Sequence, residues 1–168
     1  SLLVYGDPTA RLNLVGITGT NGKTTTSYLI RAIYGEAGLP SCLVGTIGMK
    51  IGDRSYASRH TTPEAPDILR LLRQALQEGC THGVMEVSSH ALVLQRVAGM
   101  RFRVGIFTNL TRDHLDYHLD MESYYQAKKL LFTSGAAAGM ETAIINTDDP
   151  YGSRLASEIG RGGHVLSY

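Results

Sequence analysis

Short apolar runs rich in β-branched residues recur along the chain, and most are followed by a stretch with helical spacing. The runs predict strands over residues 13–18, 41–47, 83–87, 104–108, 142–146 and 164–167. Helices are predicted over 23–36, 64–78, 121–133 and 152–158. Gly38, Leu39 and Pro40 punctuate the chain after the first helix, and Thr62 with Pro63 and Pro66 opens the second. Gly52-Asp53 reads as a hairpin turn. Strands that alternate with helices build βαβ units. The fold class expected is therefore α/β, a mostly parallel twisted sheet flanked by helices.

Composition narrows the field. The 168 residues suffice for one domain with its own core. At 43% hydrophobic and 18% charged they are ordinary for a globular chain. A net charge of +1 with no Lys/Arg run leaves no electrostatic footprint for nucleic acid. No apolar run approaches the ~20 residues of a membrane span, and no stretch of these residues reads as a signal peptide. Cys42 and Cys80 stand outside any CxxC spacing and read as small core residues in a reducing cytosol. The last strand reaches the terminus with no helix after it, which suggests a piece of a longer protein.

Four segments carry chemistry. The first is VGITGTNGKTTTSYLI, residues 15–30, a strand, a glycine-rich turn and a helix start. Gly16, Gly19 and Gly22 let backbone approach a ligand, and the helix aims free N–H groups at an anion. Lys23 would reach the outer phosphates and the Thr24 hydroxyl would ligate Mg²⁺. The usual loop has a glycine five residues before the Gly-Lys pair; here that position is Ile17.

In GVMEVSSHAL, Glu86 ends an otherwise apolar strand at the carboxyl edge, where ligands of open α/β sheets collect. It reads either as a hard-oxygen ligand for Mg²⁺ or as a cap for the next turn. FTNLTRDHLDYH holds Asn109, Asp113, His114, Asp116 and His118 just after a strand. His114 falls nearest the predicted site, Asp113 reads as its orienting neighbour, and His118 reads as structural. Zinc is a weak alternative, because no second His or Cys stands at finger spacing. In MESYYQAKKLLF, Met121, Tyr124, Tyr125, Lys128, Leu131 and Phe132 form one inward stripe with Lys128 at its middle, while Lys129 lies at the edge. An inward lysine either finds an anion, loses its proton or snorkels outward.

Together these segments resemble the Mur ligases, ATP-dependent enzymes of cell-wall precursor synthesis. GTNGKT is that family's variant of the phosphate loop, which accounts for Ile17. EVSSHAL, DHLDYH and AKKLLF in this order resemble most the branch that adds a diamino acid, lysine or meso-diaminopimelate, to UDP-MurNAc-L-Ala-D-Glu through an acyl phosphate. The resemblance implies a cytoplasmic three-domain enzyme. Residues 1–168 would be its central ATPase domain, truncated at the C-terminal end, without the N-terminal UDP-binding and C-terminal domains. It further implies that Gly19, Thr20, Asn21, Gly22, Lys23, Thr24 and Thr25 bind ATP. Thr24 and Glu86 would hold one Mg²⁺, and His114 with a carbamylated Lys128 a second. Thr61, Thr62, Ser88 and Arg96 would touch the UDP-linked substrate. Leu94 stands where some members place a substrate-binding Gln. Folylpolyglutamate and cyanophycin synthetases, or a non-catalytic ATP-binding module, are the alternatives. Ser88 beside His90 lacks the G-x-S-x-G elbow of a hydrolase.

Overall fold

The computed structural model describes residues 6–57, 60–113, 117–137, 139–160 and 164–168. Eight strands form one sheet in the order β4-β3-β2-β5-β1-β6-β7-β8. They are β1 (Asn13–Thr18), β2 (Ser41–Gly45), β3 (Gly48–Ile51), β4 (Arg54–Tyr56), β5 (His82–Glu86), β6 (Val104–Phe107), β7 (Thr142–Ile145) and β8 (His164–Ser167). The six strands from β2 to β8 run parallel, and β3 and β4 add an antiparallel hairpin at one edge. Helices are α1 (Lys23–Glu36), α2 (Ala65–Gln77), α3 (Ser89–Val93), α4 (Met121–Thr133) and α5 (Pro150–Ile159).

The expected strands and helices are present, with ends moved by a few residues. The run 41–47 stops at Gly45, turns, and re-enters the sheet as β3. The hairpin turn is where Gly52-Asp53 placed it, but its two short strands were not anticipated. Helix α5 begins two residues before the expected 152, because Asp149 caps it, accepting from the Tyr151 and Gly152 amides, and Pro150 occupies its first turn. Helix α3 was also not anticipated; five residues are too few to show a 3.6-residue period.

The two faces of the sheet are unequal. Helices α2, α3, α4 and α5 cover one face and build the larger core, in which Leu14, Val44, Met85, Phe102, Phe107, Tyr124 and Tyr125 pack. Helix α2 presents Ile68, Leu69, Leu71, Leu72 and Ala75 inward, so that its apolar stripe fixes it in place. On the other face Val15, Ile17, Val84 and Ile106 meet Ile30 and Tyr34 of α1. Of α1's side chains only Ser27 is fully buried. Ile30 and Tyr34, in the middle and last turns of α1, dock the helix that opens at the phosphate loop onto this face.

Candidate functional site

Parallel register brings the carboxyl ends of β1, β2, β5 and β6 to one edge. Ile17 pairs with Glu86, Thr18 with Phe107, and Val44 with Met85. Gly19, Thr46 and Thr108, just beyond these ends, and Glu86, the last residue of β5, are neighbours for that reason.

The turn between β1 and α1 has the backbone its glycines predict. Gly19 has φ +145°, and a Cβ there would lie 1.9 Å from Thr108 Oγ1. Gly22, the N-cap of α1, is left-handed at φ +85°. Gly16 has another role: it lies within β1, where a Cβ would stand 2.8 Å from the Phe102 ring. The segment after β6 clamps the turn from outside. The Asn21 amide donates to Asn109 Oδ1 at 2.9 Å, the Thr20 amide to the Asn109 carbonyl at 2.9 Å, and Thr108 Oγ1 to the Asn21 carbonyl at 2.7 Å.

Lys23 Nζ donates to the Gly19 and Thr20 carbonyls, each at 2.9 Å. Burial lowers its pKa, against the pull of Glu86 and Asp113. Glu86 is fully buried and well satisfied. One oxygen accepts from the Thr46 amide at 3.1 Å; the other accepts from the Thr24 and Thr46 hydroxyls, each at 2.9 Å. Of the two readings of Glu86 from sequence, the cap is not found. Its carboxylate does not cap the turn that follows β5; it reaches across to Thr46, in the turn after β2, and to Thr24. The pair with Thr24 is suited to a metal. In an octahedral shell with bonds of about 2.0–2.1 Å, adjacent ligand oxygens stand roughly 2.9 Å apart. Thr24 Oγ1 and Glu86 Oε2 have that separation, 2.9 Å. Among the described residues no group of three His, Cys, Asp or Glu could hold a metal. The two oxygens of Thr24 and Glu86 would fit a hard divalent cation that takes its remaining ligands from elsewhere.

Lys128 is buried at 1% exposure. Its Nζ donates to the Gly19 carbonyl at 2.8 Å and lies 4.4 Å from the centre of the Tyr124 ring. Burial first, then the charge of Lys23, pushes its pKa well below the ordinary lysine value, with Asp113 opposing. It does not snorkel. Lys129, one residue on, pairs with Glu158 at 2.8 Å near the surface. His114 and Asp116 lie outside the described residues.

The remaining predicted residues gather on the β5 side. Thr62 Oγ1 donates to the Glu86 carbonyl at 2.9 Å and accepts from the Ser88 amide at 3.0 Å. Ser88 caps α3, accepting from the Ala91 amide. Arg96 donates to the Thr62 carbonyl at 3.1 Å and pairs with Glu64 at 2.7 Å. Thr61 accepts from Thr46 Oγ1 at 3.0 Å. Thr25 is exposed on the first turn of α1. Leu94, 53% exposed, ends α3, and Gln95 follows in a left-handed conformation at φ 55°. Thr46 and Thr108 were missed from sequence. Their one signal was position, each just past an apolar strand ending at the same edge.

A model of the Mur ligase middle domain matches residues 17–168. The chain belongs to the Mur ligase family. A UDP-N-acetylmuramoyl-L-alanyl-D-glutamate–2,6-diaminopimelate ligase of Geobacter metallireducens is 55% identical over 158 residues, 92% of this chain and 31% of the relative. The enzyme of the same name from Corynebacterium efficiens is 48% identical over 164 residues, 98% of this chain and 31% of the relative. The chain thus spans about a third of these curated relatives. A solved structure of a ligase of that name superimposes with TM-score 0.82 at 32% identity, over 94% of this chain and 32% of the other. Mycobacterium tuberculosis folylpolyglutamate synthase, complexed with ADP and AMPPCP, superimposes with TM-score 0.72 at 17% identity, over 99% of this chain and 45% of the other. That likeness shows the shared Mur ligase fold. No helix among the described residues is long and apolar enough to cross a membrane.

Proposed function

We propose that this chain is the central ATPase domain of a ligase that joins 2,6-diaminopimelate to UDP-MurNAc-L-Ala-D-Glu. The observation that carries the reading is the Thr24–Glu86 pair, 2.9 Å apart at the mouth of a phosphate loop. The names of relatives at about half identity support diaminopimelate over lysine. The folylpolyglutamate alternative rests on fold alone.

In this reading Gly19, Thr20, Asn21, Gly22, Lys23, Thr24 and Thr25 hold ATP, with backbone amides and the α1 dipole on the phosphates. Lys23 leaves its two carbonyls to meet the outer phosphates, which replace them as acceptors of its charge. Thr24 and Glu86 would hold one Mg²⁺, and His114 with a carbamylated Lys128 a second; such ions would supply positive charge to the transferred phosphoryl group. Thr61, Thr62, Ser88 and Arg96 orient the UDP-linked substrate.

A carboxylate oxygen of that substrate attacks the γ-phosphorus, and the bond to ADP breaks. The amine of the diamino acid then attacks the acyl carbon, phosphate leaves, and the amine loses a proton. No protein nucleophile takes part, which is consistent with Ser88 serving as a helix cap. The N-terminal and C-terminal domains of the whole enzyme would bring the reactants together, and such orientation is worth ~7–11 kcal/mol of a barrier.

The test supplies the full-length protein with ATP, Mg²⁺, UDP-MurNAc-L-Ala-D-Glu and either 2,6-diaminopimelate or lysine. Tripeptide and ADP should form with diaminopimelate. ATP binding without product from either amino acid would favour the non-catalytic module. The 168-residue chain alone should yield no tripeptide.

A further inference from the structure

His118 reads as structural from sequence, yet it stands between the two halves of the site. It is 5% exposed, and its Nε2 lies 2.8 Å from Ser89 Oγ. Its ring stacks on Tyr124 with centroids 4.9 Å apart and planes at 29°. The Tyr124 hydroxyl lies 3.3 Å from Thr20 Oγ1, inside the phosphate loop. The same Tyr124 ring carries Lys128 on its face, 4.4 Å from Nζ. Thr20 Oγ1 in turn accepts from the Thr111 amide at 3.1 Å.

These contacts form a continuous path. Ser89 opens α3 directly after Ser88, on the side proposed for the UDP-linked substrate. Thr20 belongs to the loop proposed for ATP. Two buried aromatic rings join them, each held by a polar contact at its outer end. Asn109, Thr108 and Lys128 hold the backbone of the loop, and Tyr124 and Thr111 hold the Thr20 side chain within it.

We infer that Ser89, His118, Tyr124 and Thr20 form a bridge through which occupancy beside α3 sets the conformation of the phosphate loop. His118 and Tyr124 are then positioning residues for the nucleotide. The bridge rests on the functional reading above for what binds at each end. A bound acceptor that fixes Ser88 and Ser89 would fix the His118 ring and hence Tyr124. An ordered Tyr124 holds Thr20 in place, so the nucleotide meets a loop already set. Coupling of this kind is reciprocal.

The test uses the full-length protein and AMP-PNP with Mg²⁺, titrated calorimetrically with and without UDP-MurNAc-L-Ala-D-Glu. In the wild type, the dipeptide substrate should tighten AMP-PNP binding by a factor of about five or more. Tyr124→Phe removes only the hydroxyl at Thr20 and keeps both ring contacts. His118→Phe keeps the stack and loses the nitrogen at Ser89. In each variant the factor should fall below about five, the lower limit of the usual allosteric range. Ser89→Ala combined with Tyr124→Phe should lose no more than either alone, since both cut one path; independent structural damage would add. A wild type without coupling, an undiminished factor in Tyr124→Phe, or additive losses would overturn the bridge. Product formation by the wild type with diaminopimelate is scored separately. Its absence, with coupling present and lost in the variants, would overturn the ligase reading and leave the bridge standing.

Discussion

Lys128 Nζ donates to the carbonyl oxygen of Gly19 at 2.8 Å, so the middle of α4 is tied to the first residue of the phosphate loop. Lys23 donates to the same carbonyl at 2.9 Å. Two lysines converging on one oxygen repel each other, and Lys23 is accordingly a named cause of the lowered pKa of Lys128. The loop thus gathers two amine groups at one carbonyl, with Glu86 and Asp113 as the opposing charges.

Removing one of those charges tests the loop directly. Lys23→Ala in the full-length protein should weaken Mg²⁺-ATP binding at least about tenfold, the worth of one charge-assisted hydrogen bond. The fold should survive, because Lys23 caps its own turn and packs in no core. Calorimetric titration of both proteins decides it, and equal affinity would refute the phosphate-loop assignment.

Gly45 offers a steric test of Glu86. A Cβ on Gly45 would lie 2.2 Å from Glu86 Oε1 and 2.9 Å from its carboxyl carbon. Gly45→Ala should therefore push the carboxylate off Thr24 and Thr46 while leaving the β2 backbone extended. The expected result is Mg²⁺-dependent nucleotide binding weakened about tenfold or more, the scale of one lost charged contact. An unchanged Mg²⁺ dependence in a titration would count against Glu86 as a metal ligand.

The lowered pKa of Lys128 predicts a pH dependence of stability. Unfolded, the lysine keeps its proton up to its ordinary value of 10.5; folded, it releases it at lower pH. Between the two the unfolded chain binds more protons, so stability rises with pH, and Lys23 acts in the same sense. Above pH 9 the buried Cys42 thiol, pushed up to about 12, opposes this because the folded chain retains its proton. Lys128→Met should raise Tm near neutral pH by about 2 °C or more, the effect of roughly 1 kcal/mol in a domain of this size. Its rise in stability toward pH 9 should also be shallower than that of the wild type. Thermal unfolding across that range measures both.

A lowered pKa favours the neutral form of the Lys128 amine, the form that adds CO₂ to give a carbamate and release one proton. Labelling the full-length protein with ¹³CO₂ should produce a carbamate signal that Lys128→Ala lacks. Activity of that variant should fall about a hundredfold or more, the scale of losing one preorganised electrostatic group. Added acetate should restore part of it and added bicarbonate none, because alanine has no amine to carry CO₂. A fully active Lys128→Ala would show the lysine to be structural.

The phosphate loop was legible because its signal is local: strand, glycines, Lys23 and helix follow one another within sixteen residues, 15–30. Glu86 stood out as a charge on an apolar strand. Its partner Thr46 did not, since nothing in the chain near residue 86 names it, and Thr24 was paired with Glu86 only through the family resemblance. The opposite happened with His118. Its immediate neighbours carry polar chemistry, yet its ring lies between Ser89 and Tyr124, which only the packing of α3 against α4 reveals.

The sequence by itself determined the alternation of strands and helices, the phosphate loop and the inward aim of Lys128, because each follows from spacing along one element. Tertiary structure alone decided which strand ends share an edge, that Lys128 meets Gly19, and that Thr24 and Glu86 stand as two adjacent oxygens. Those outcomes depend on parallel pairing of strands far apart in the chain. Register fixes such neighbours through hydrogen bonds between backbones, and side-chain periodicity carries no record of which backbone lies alongside.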